Sequence, residues 1–185
     1  PAFGYGIRYE FGIFKQEVVN GKQQEQPDYW LAHGCPWEIP RRELTFRIKY
    51  FGRVVSVRTP DGKIKNNWID TEDILAAAYD VPVPGYKSDT VNNLRLWAAR
   101  ANEEFSFQEF NDGNYVAAVE RKNISENISK VLYPNDSYTE GKFLRLKQQY
   151  FFSSASLQDI IRKYGYNHNT FDKFPEKVAI QLNDT

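Results

Sequence analysis

The hydrophobic period changes half-way along this chain, and that change restricts its possible folds more than any single motif does. Leu44, Phe46, Ile48 and Tyr50 alternate with Thr45, Arg47 and Lys49, the two-residue period of a strand with one buried face. From Tyr115 the apolar residues recur every three to five positions, as Tyr115, Val119, Ile124, Ile128 and Val131, which predicts a helix running up to Tyr133-Pro134. A longer helix is expected from about Lys142. Leu146, Tyr150, Leu157, Ile161 and Tyr164 would form its apolar face, with Gly165 as its stop just past Arg162-Lys163.

Other strand signals fill the first half. Gly4 to Tyr9 and Phe11 to Phe14 are aromatic and β-branched, and Asn20-Gly21 after Val18-Val19 marks a tight turn. The alternation from Leu44 slips in phase at Phe51-Gly52 and resumes with Val55 and Val57, as a β-bulge would cause. Pro60-Asp61-Gly62-Lys63 turns the chain back through Ile64 and Trp68. After the rigid segment Val81 to Gly85, Leu94, Leu96 and Ala98 mark another strand, so a mostly antiparallel sheet is expected. Following a polar loop, Val178 to Leu182 reads as a short buried strand. The whole is an α/β pattern with an antiparallel excursion, without repeats or a dividing linker. The chain opens on Pro1-Ala2-Phe3, holds no Met, and stops at Asp184-Thr185 before the helix such a strand feeds. It is therefore expected to be an internal piece of a larger protein.

Charge narrows the partners. The 24 basic and 24 acidic residues cancel, so nucleic acid or an anionic membrane is not expected as the main partner. No apolar run reaches the ~18 residues of a membrane helix, and no signal peptide opens the chain, so a soluble protein is expected. The single cysteine, Cys35, pairs with nothing internally and suits a reducing compartment. Glycosylation-like matches at Asn123, Asn127 and Asn135 are short enough to arise by chance.

Several residues are placed to do chemistry. Asp184 follows the expected last strand, where open α/β sheets bind ligands, although Asn, Asp and Thr are also favoured helix N-caps. Tyr133 to Tyr138 joins two helices with donors, acceptors and aromatic faces suited to a polyhydroxylated ligand; Asn135, Asp136 and Ser137 equally suit capping of the next helix. Arg145 lies within reach of pairing with Asp136 or drawing an anion toward the loop. Arg162-Lys163 either complements a helix dipole or receives a phosphate. His33, His168 and Cys35 lack metal-ligand spacing, no serine has a nucleophile elbow, and Gly4-Tyr5-Gly6 lacks the third glycine of a dinucleotide loop.

Taken together and in order, Gly4 to Phe14, Pro82 to Tyr86, Asn92 to Trp97, Tyr133 to Asp136, Gly141 to Phe151 and Val178 to Thr185 resemble segments of the α-glucan (glycogen or starch) phosphorylases. The resemblance covers essentially the whole chain. It implies a glycosyltransferase-B-type, Rossmann-like enzyme of which residues 1–185 are one incomplete segment of the N-terminal domain, with antiparallel strands and long helices. The implied parent is a cytoplasmic, allosteric homodimer that phosphorolyses terminal α-1,4-linked glucose to glucose 1-phosphate. Its cofactor, pyridoxal phosphate, would be bound by a C-terminal domain outside this segment. The resemblance further places Asp184 beside the glucosyl unit, and Asn135, Asp136 and Ser137 in a loop gating the channel. Ser137 stands where the family usually has Asn. In the closed state Asp136 occupies the place of an arginine that admits phosphate. Tyr138 matches an aromatic on which purine inhibitors stack, the preceding helix matches one that contacts the other subunit, and Arg162-Lys163 matches an Arg-Arg pair that holds the phosphate of AMP.

The isolated segment is expected to lack activity, because half of a preorganised site does not stabilise the transition state. Two readings compete with the enzyme segment. One is a non-catalytic carbohydrate-binding module built on Trp30 and Trp37, in a chain that is 16% aromatic. The other is a nucleotide-regulated interaction domain built on Arg162-Lys163.

Overall fold

Among the described residues eight strands precede the helices: β1 (Phe3–Ile7), β2 (Gly12–Val19), β3 (Lys22–Asp28), β4 (Ile39–Tyr50), β5 (Arg53–Arg58), β6 (Ile64–Ile69), β7 (Glu72–Pro84) and β8 (Val91–Ala101). The helices with described bounds are α1 (Tyr115–Glu126), extended by a 3-10 turn at Asn127–Ser129, then α2 (Thr139–Gly165) and α3 (Phe174–Lys177). This computed structural model describes residues 2–102, 111, 113, 115–132, 134–135 and 137–182. The result is a mixed α/β arrangement.

A four-stranded sheet in the order β1-β8-β7-β4 carries the core. Alternation in β4 does what its sequence predicts: Leu44, Ile48 and Tyr50 are buried, while Thr45 and Arg47 are exposed. β7 pairs antiparallel with β4 and β8, but β1 joins β8 in parallel. Gly4 and Gly6 explain that close pairing, since a Cβ on either would come within 3.0 Å of Leu94 or Leu96. The intervening Tyr5 lies opposite Arg95.

On one face Ile48, Ile74, Ala76, Ala78, Trp97 and Ala99 pack with Ile128, Phe151 and Ala155. Trp97 is fully buried, and its indole N–H donates to the Ser156 hydroxyl at 3.1 Å. Burying each large side chain contributes about 1.5–3 kcal/mol. The 3-10 turn is tied down by polar groups: Gln148 donates to the carbonyls of Ile128 and Val131 at 3.0 and 2.9 Å, and the Ala99 N–H donates to Ser129 Oγ at 2.9 Å. The Gln148 bonds satisfy carbonyls that a helix end leaves open, and Ser129 satisfies a strand N–H.

Four expectations change. Phe51-Gly52 is a turn and not a bulge: both residues have positive φ, 56° and 73°, and the chain leaves the sheet to form the separate β5-β6 hairpin. Val81 to Pro84, expected only as a rigid segment before the next strand, is the end of β7. Of the expected apolar face of α2 only Tyr164 is buried, Leu146 being 60% exposed, Leu157 and Ile161 44% and Tyr150 40%. The buried side of α2 is made of Gln148, Phe151, Ala155, Ser156, Asp159 and Tyr164: Phe151 and Ala155 join the core, and Gln148, Ser156 and Asp159 make hydrogen bonds there. Lastly, Val178 to Leu182 is irregular and Leu182 is 79% exposed. Among the described residues Val178 to Leu182 belongs to none of the sheets, and the Val178 N–H, at the end of α3, donates back to the Phe174 carbonyl.

Candidate functional site

The candidate residues gather at the two ends of α2, whose 27 residues span about 40 Å at 1.5 Å per residue. At its C-terminal end Asp159 is completely buried. Its carboxylate accepts hydrogen bonds from the Tyr5 hydroxyl at 2.8 Å, Arg95 Nη1 at 2.6 Å and Arg162 Nη2 at 2.8 Å. Lys163 Nζ lies 3.1 Å from the same group. Arg95 reaches back with its other nitrogens to grip Asp80 bidentately, at 2.7 Å each. Parallel pairing of β1 with β8 sets Tyr5 beside Arg95, and the i,i+3 and i,i+4 spacing on α2 sets Arg162 and Lys163 on Asp159.

Three cations, Arg95, Arg162 and Lys163, thus share two acids, Asp80 and Asp159. Arg41, a fourth cation, approaches Asp80 at 3.2 Å but also pairs with Glu43. Arg95 is buried, whereas the side chains of Arg162 and Lys163 keep 28% and 34% exposure. The positive excess therefore faces solvent through those two residues. Burial pushes the Asp159 carboxyl up, but hydrogen bonds from Arg162, Tyr5 and Lys163 outweigh it and hold the group below the usual carboxylate range. Asp80 follows the same logic, with burial overcome chiefly by Arg95 and Asn93. Burial lowers the Lys163 ammonium despite Asp159; Nζ sits 2.9 Å from the Phe3 ring centroid and 3.2 Å from the Tyr5 hydroxyl. Burial and the bond to Asp159 raise the Tyr5 phenol.

At the other end, the Ser137 N–H donates to Asn135 Oδ1 at 2.9 Å, a side-chain turn of the kind Asn favours. Tyr138 holds the N-cap position in an extended conformation without a side-chain cap, and its ring is 67% exposed. Arg145 is half-buried, two turns into the helix. The structure brings Asn135, Ser137 and Tyr138 together here and keeps them apart from Arg162-Lys163. Asp136 and Asp184 lie outside the described residues. Among the described residues no group of three His, Cys, Asp or Glu is placed to hold a metal ion, and no helix is long and apolar enough to cross a membrane. The Trp30 indole N–H is committed to the Tyr9 carbonyl at 2.9 Å, while Trp37 is 73% exposed.

Tyr5, Asp80, Arg95 and Asp159 escape the sequence reading. Two of them carry a local signal: Arg95 is a charge between Leu94 and Leu96 in an alternating strand, and Asp159 is followed by two cations one turn later.

A family model for carbohydrate phosphorylases matches residues 1–185. This chain belongs to that family. It is 54% identical over 185 residues to a glycogen phosphorylase of Chlamydia pneumoniae, covering 100% of this chain and 22% of that protein. The same identity and shares hold over 192 aligned positions with the brain form of glycogen phosphorylase from Homo sapiens. A glycogen phosphorylase of Chlamydia trachomatis is 50% identical, with 23% of its length covered. This carbohydrate phosphorylase chain thus spans about a fifth of the length of the curated relatives it matches.

Proposed function

We propose that the protein carrying this chain is an α-1,4-glucan phosphorylase, which transfers the terminal glucosyl unit of a glucan to orthophosphate and releases glucose 1-phosphate. The observation that carries this reading is identity of 54% along the whole chain to glycogen phosphorylases. In this reading residues 1–185 form part of a glycosyltransferase-B-type N-terminal domain. Asp184 lies by the glucosyl unit, and Asn135, Asp136, Ser137 and Arg145 serve the sugar and phosphate side. The Asn135–Ser137 turn shapes the loop there, and Ser137, shorter than Asn, leaves more room for a sugar hydroxyl.

Arg162 and Lys163 form a separate effector site. Their residual positive charge suits a phosphate such as that of AMP, which would compete with Asp159 for both cations. Tyr138, at the far end of α2, supplies a face for a flat purine. Pyridoxal phosphate would supply, through its own phosphate, an acid and anion partner for the attacking orthophosphate. In this reading its cradle lies in the C-terminal domain, outside residues 1–185, and Arg162 and Lys163, half-exposed beside Asp159, serve the effector instead. No step here runs through that group. A homodimer in the cytoplasm completes the proposal.

The test is glucose 1-phosphate formation from glycogen and orthophosphate by the full-length protein. Loss of that activity in Asp184→Asn is expected, and the 185-residue chain alone should yield none. A full-length protein that forms no glucose 1-phosphate from any α-1,4-glucan would overturn the reading.

A further inference from the structure

Where β4 ends, the backbone turns sharply through Phe51 and Gly52, and only glycine fits the second position, because a Cβ there would run into the Ile69 carbonyl. Phe51 is held by its own carbonyl, which accepts a hydrogen bond from the Trp68 indole N–H at 2.7 Å. Its ring is thereby presented, 55% exposed, toward the first turns of α2. There Phe143 lies nearly parallel to it, 17° between planes and 6.0 Å between centroids. Tyr50 and Tyr150 meet edge to face beside them at 5.2 Å.

These rings, with Trp68, Leu146, Lys49 and Lys147, line an open cavity of about 380 Å³, within the range of small-ligand sites. Its walls are almost wholly apolar, Lys49 and Lys147 contributing mainly their methylene stems. Lys147 Nζ lies 5.0, 5.3 and 5.6 Å from the Phe51, Tyr50 and Phe143 centroids. Its carboxylate partner, Glu72, is no closer than 3.4 Å, and Lys49 approaches Asp73 only to 3.7 Å while Arg47 shares that acid. Such lengths are loose for charged hydrogen bonds. Three cations against two acids leave the rim positive.

The geometry points to a binding site for a small flat aromatic anion, its ring against Phe51 and Phe143 and its carboxylate on Lys147. A cation is disfavoured because Lys147 already occupies the ring of aromatic faces. A sugar is disfavoured because its hydroxyls would meet few partners: the Tyr50 hydroxyl is committed to the Lys147 carbonyl at 3.0 Å, and the Trp68 N–H to Phe51. Neither Tyr138 nor any residue of the Asp159 cluster lines this cavity, so the inference is independent of the glucan reading.

Calorimetric titration of the full-length protein with 2-naphthoate and its neutral isostere 2-naphthamide tests it. The acid is expected to bind about tenfold or more tightly than the amide, the scale of one charge-assisted hydrogen bond. Lys147→Gln should abolish that preference, Phe143→Ala should weaken both ligands about fivefold, and Glu72→Gln should tighten the acid by releasing Lys147. Equal affinity for acid and amide, affinities unchanged in Lys147→Gln and Phe143→Ala, no binding at millimolar ligand, or displacement of naphthoate by maltoheptaose would each overturn the proposal.

Discussion

Replacing Asp159 by Asn would keep the volume of the side chain and remove its charge, so the cost reads the electrostatics of the buried cluster without opening a cavity. Breaking a buried ion pair from one side costs about 3–5 kcal/mol, because the partner charge stays buried. Here that partner is Arg95, whose side chain is 4% exposed. Two features place the cost near the lower bound, about 3 kcal/mol: Arg95 keeps its bidentate bonds to Asp80, and Arg162 and Lys163 are exposed enough to turn into water. At about 1.4 kcal/mol per tenfold, local opening becomes roughly 150-fold more frequent. Hydrogen exchange of the full-length protein, followed by mass spectrometry on peptides from β1, β8 and the second half of α2, measures this directly. Arg162→Gln is the control; as a half-exposed partner it should cost no more than about 1 kcal/mol. If Asp159→Asn accelerates exchange no more than Arg162→Gln, the cluster does not hold these elements together and the reasoning fails.

Acid should loosen the same region. The folded carboxyls of Asp80 and Asp159 are depressed, so their stabilisation is complete above the unfolded value of about 3.9 and disappears as pH falls through the folded values; protection factors in β8, exchange rates corrected for the pH-dependent intrinsic rate, should stay flat from neutral pH to about 4 and fall below it, and less so in Asp159→Asn. Gly52→Ala should destabilise the β4–β5 turn by about 2 kcal/mol or more, since left-handed strain adds to the clash with Ile69, and limited proteolysis should then cut near β5. Arg162→Ala should weaken AMP binding to the full-length protein about tenfold, measured by calorimetry, with glucan phosphorolysis in the absence of AMP retained.

Short-range chemistry made the strands and turns legible. Asn20 and Gly21 both take positive φ, 51° and 74°, and join β2 to β3 as their dipeptide predicts, while Gly62 at φ 81° closes the β5-β6 turn. The alternation of Leu44, Ile48 and Tyr50 identified the buried face of β4. Periodicity misled at α2, where size and burial part company: Leu146, Leu157 and Ile161 are large and outward, and Ala155, Ser156 and Asp159 are small or polar and inward. Parallel pairing of β1 with β8 joins residues 90 positions apart, such as Tyr5 and Arg95, and no local pattern encodes it. The Asp159 cluster depends on that pairing, so it could not be assembled before the fold was known. The family motifs located Arg162-Lys163 but not the carboxylate that restrains them.

The β5-β6 hairpin stands outside the four-stranded sheet, and a Cβ at Gly62 in its tip would meet nothing within 4 Å. Its tip bonds are internal, from the Thr59 N–H to the Lys63 carbonyl and from the Gly62 N–H to the Thr59 carbonyl. Residues inserted between Asp61 and Gly62 would lengthen a loop already in water and leave every sheet hydrogen bond in place, at an entropic cost that grows only slowly with length. The tip is therefore a natural place for length variation between relatives. It is also an attachment point for a spectroscopic label, in a chain whose single native thiol is Cys35.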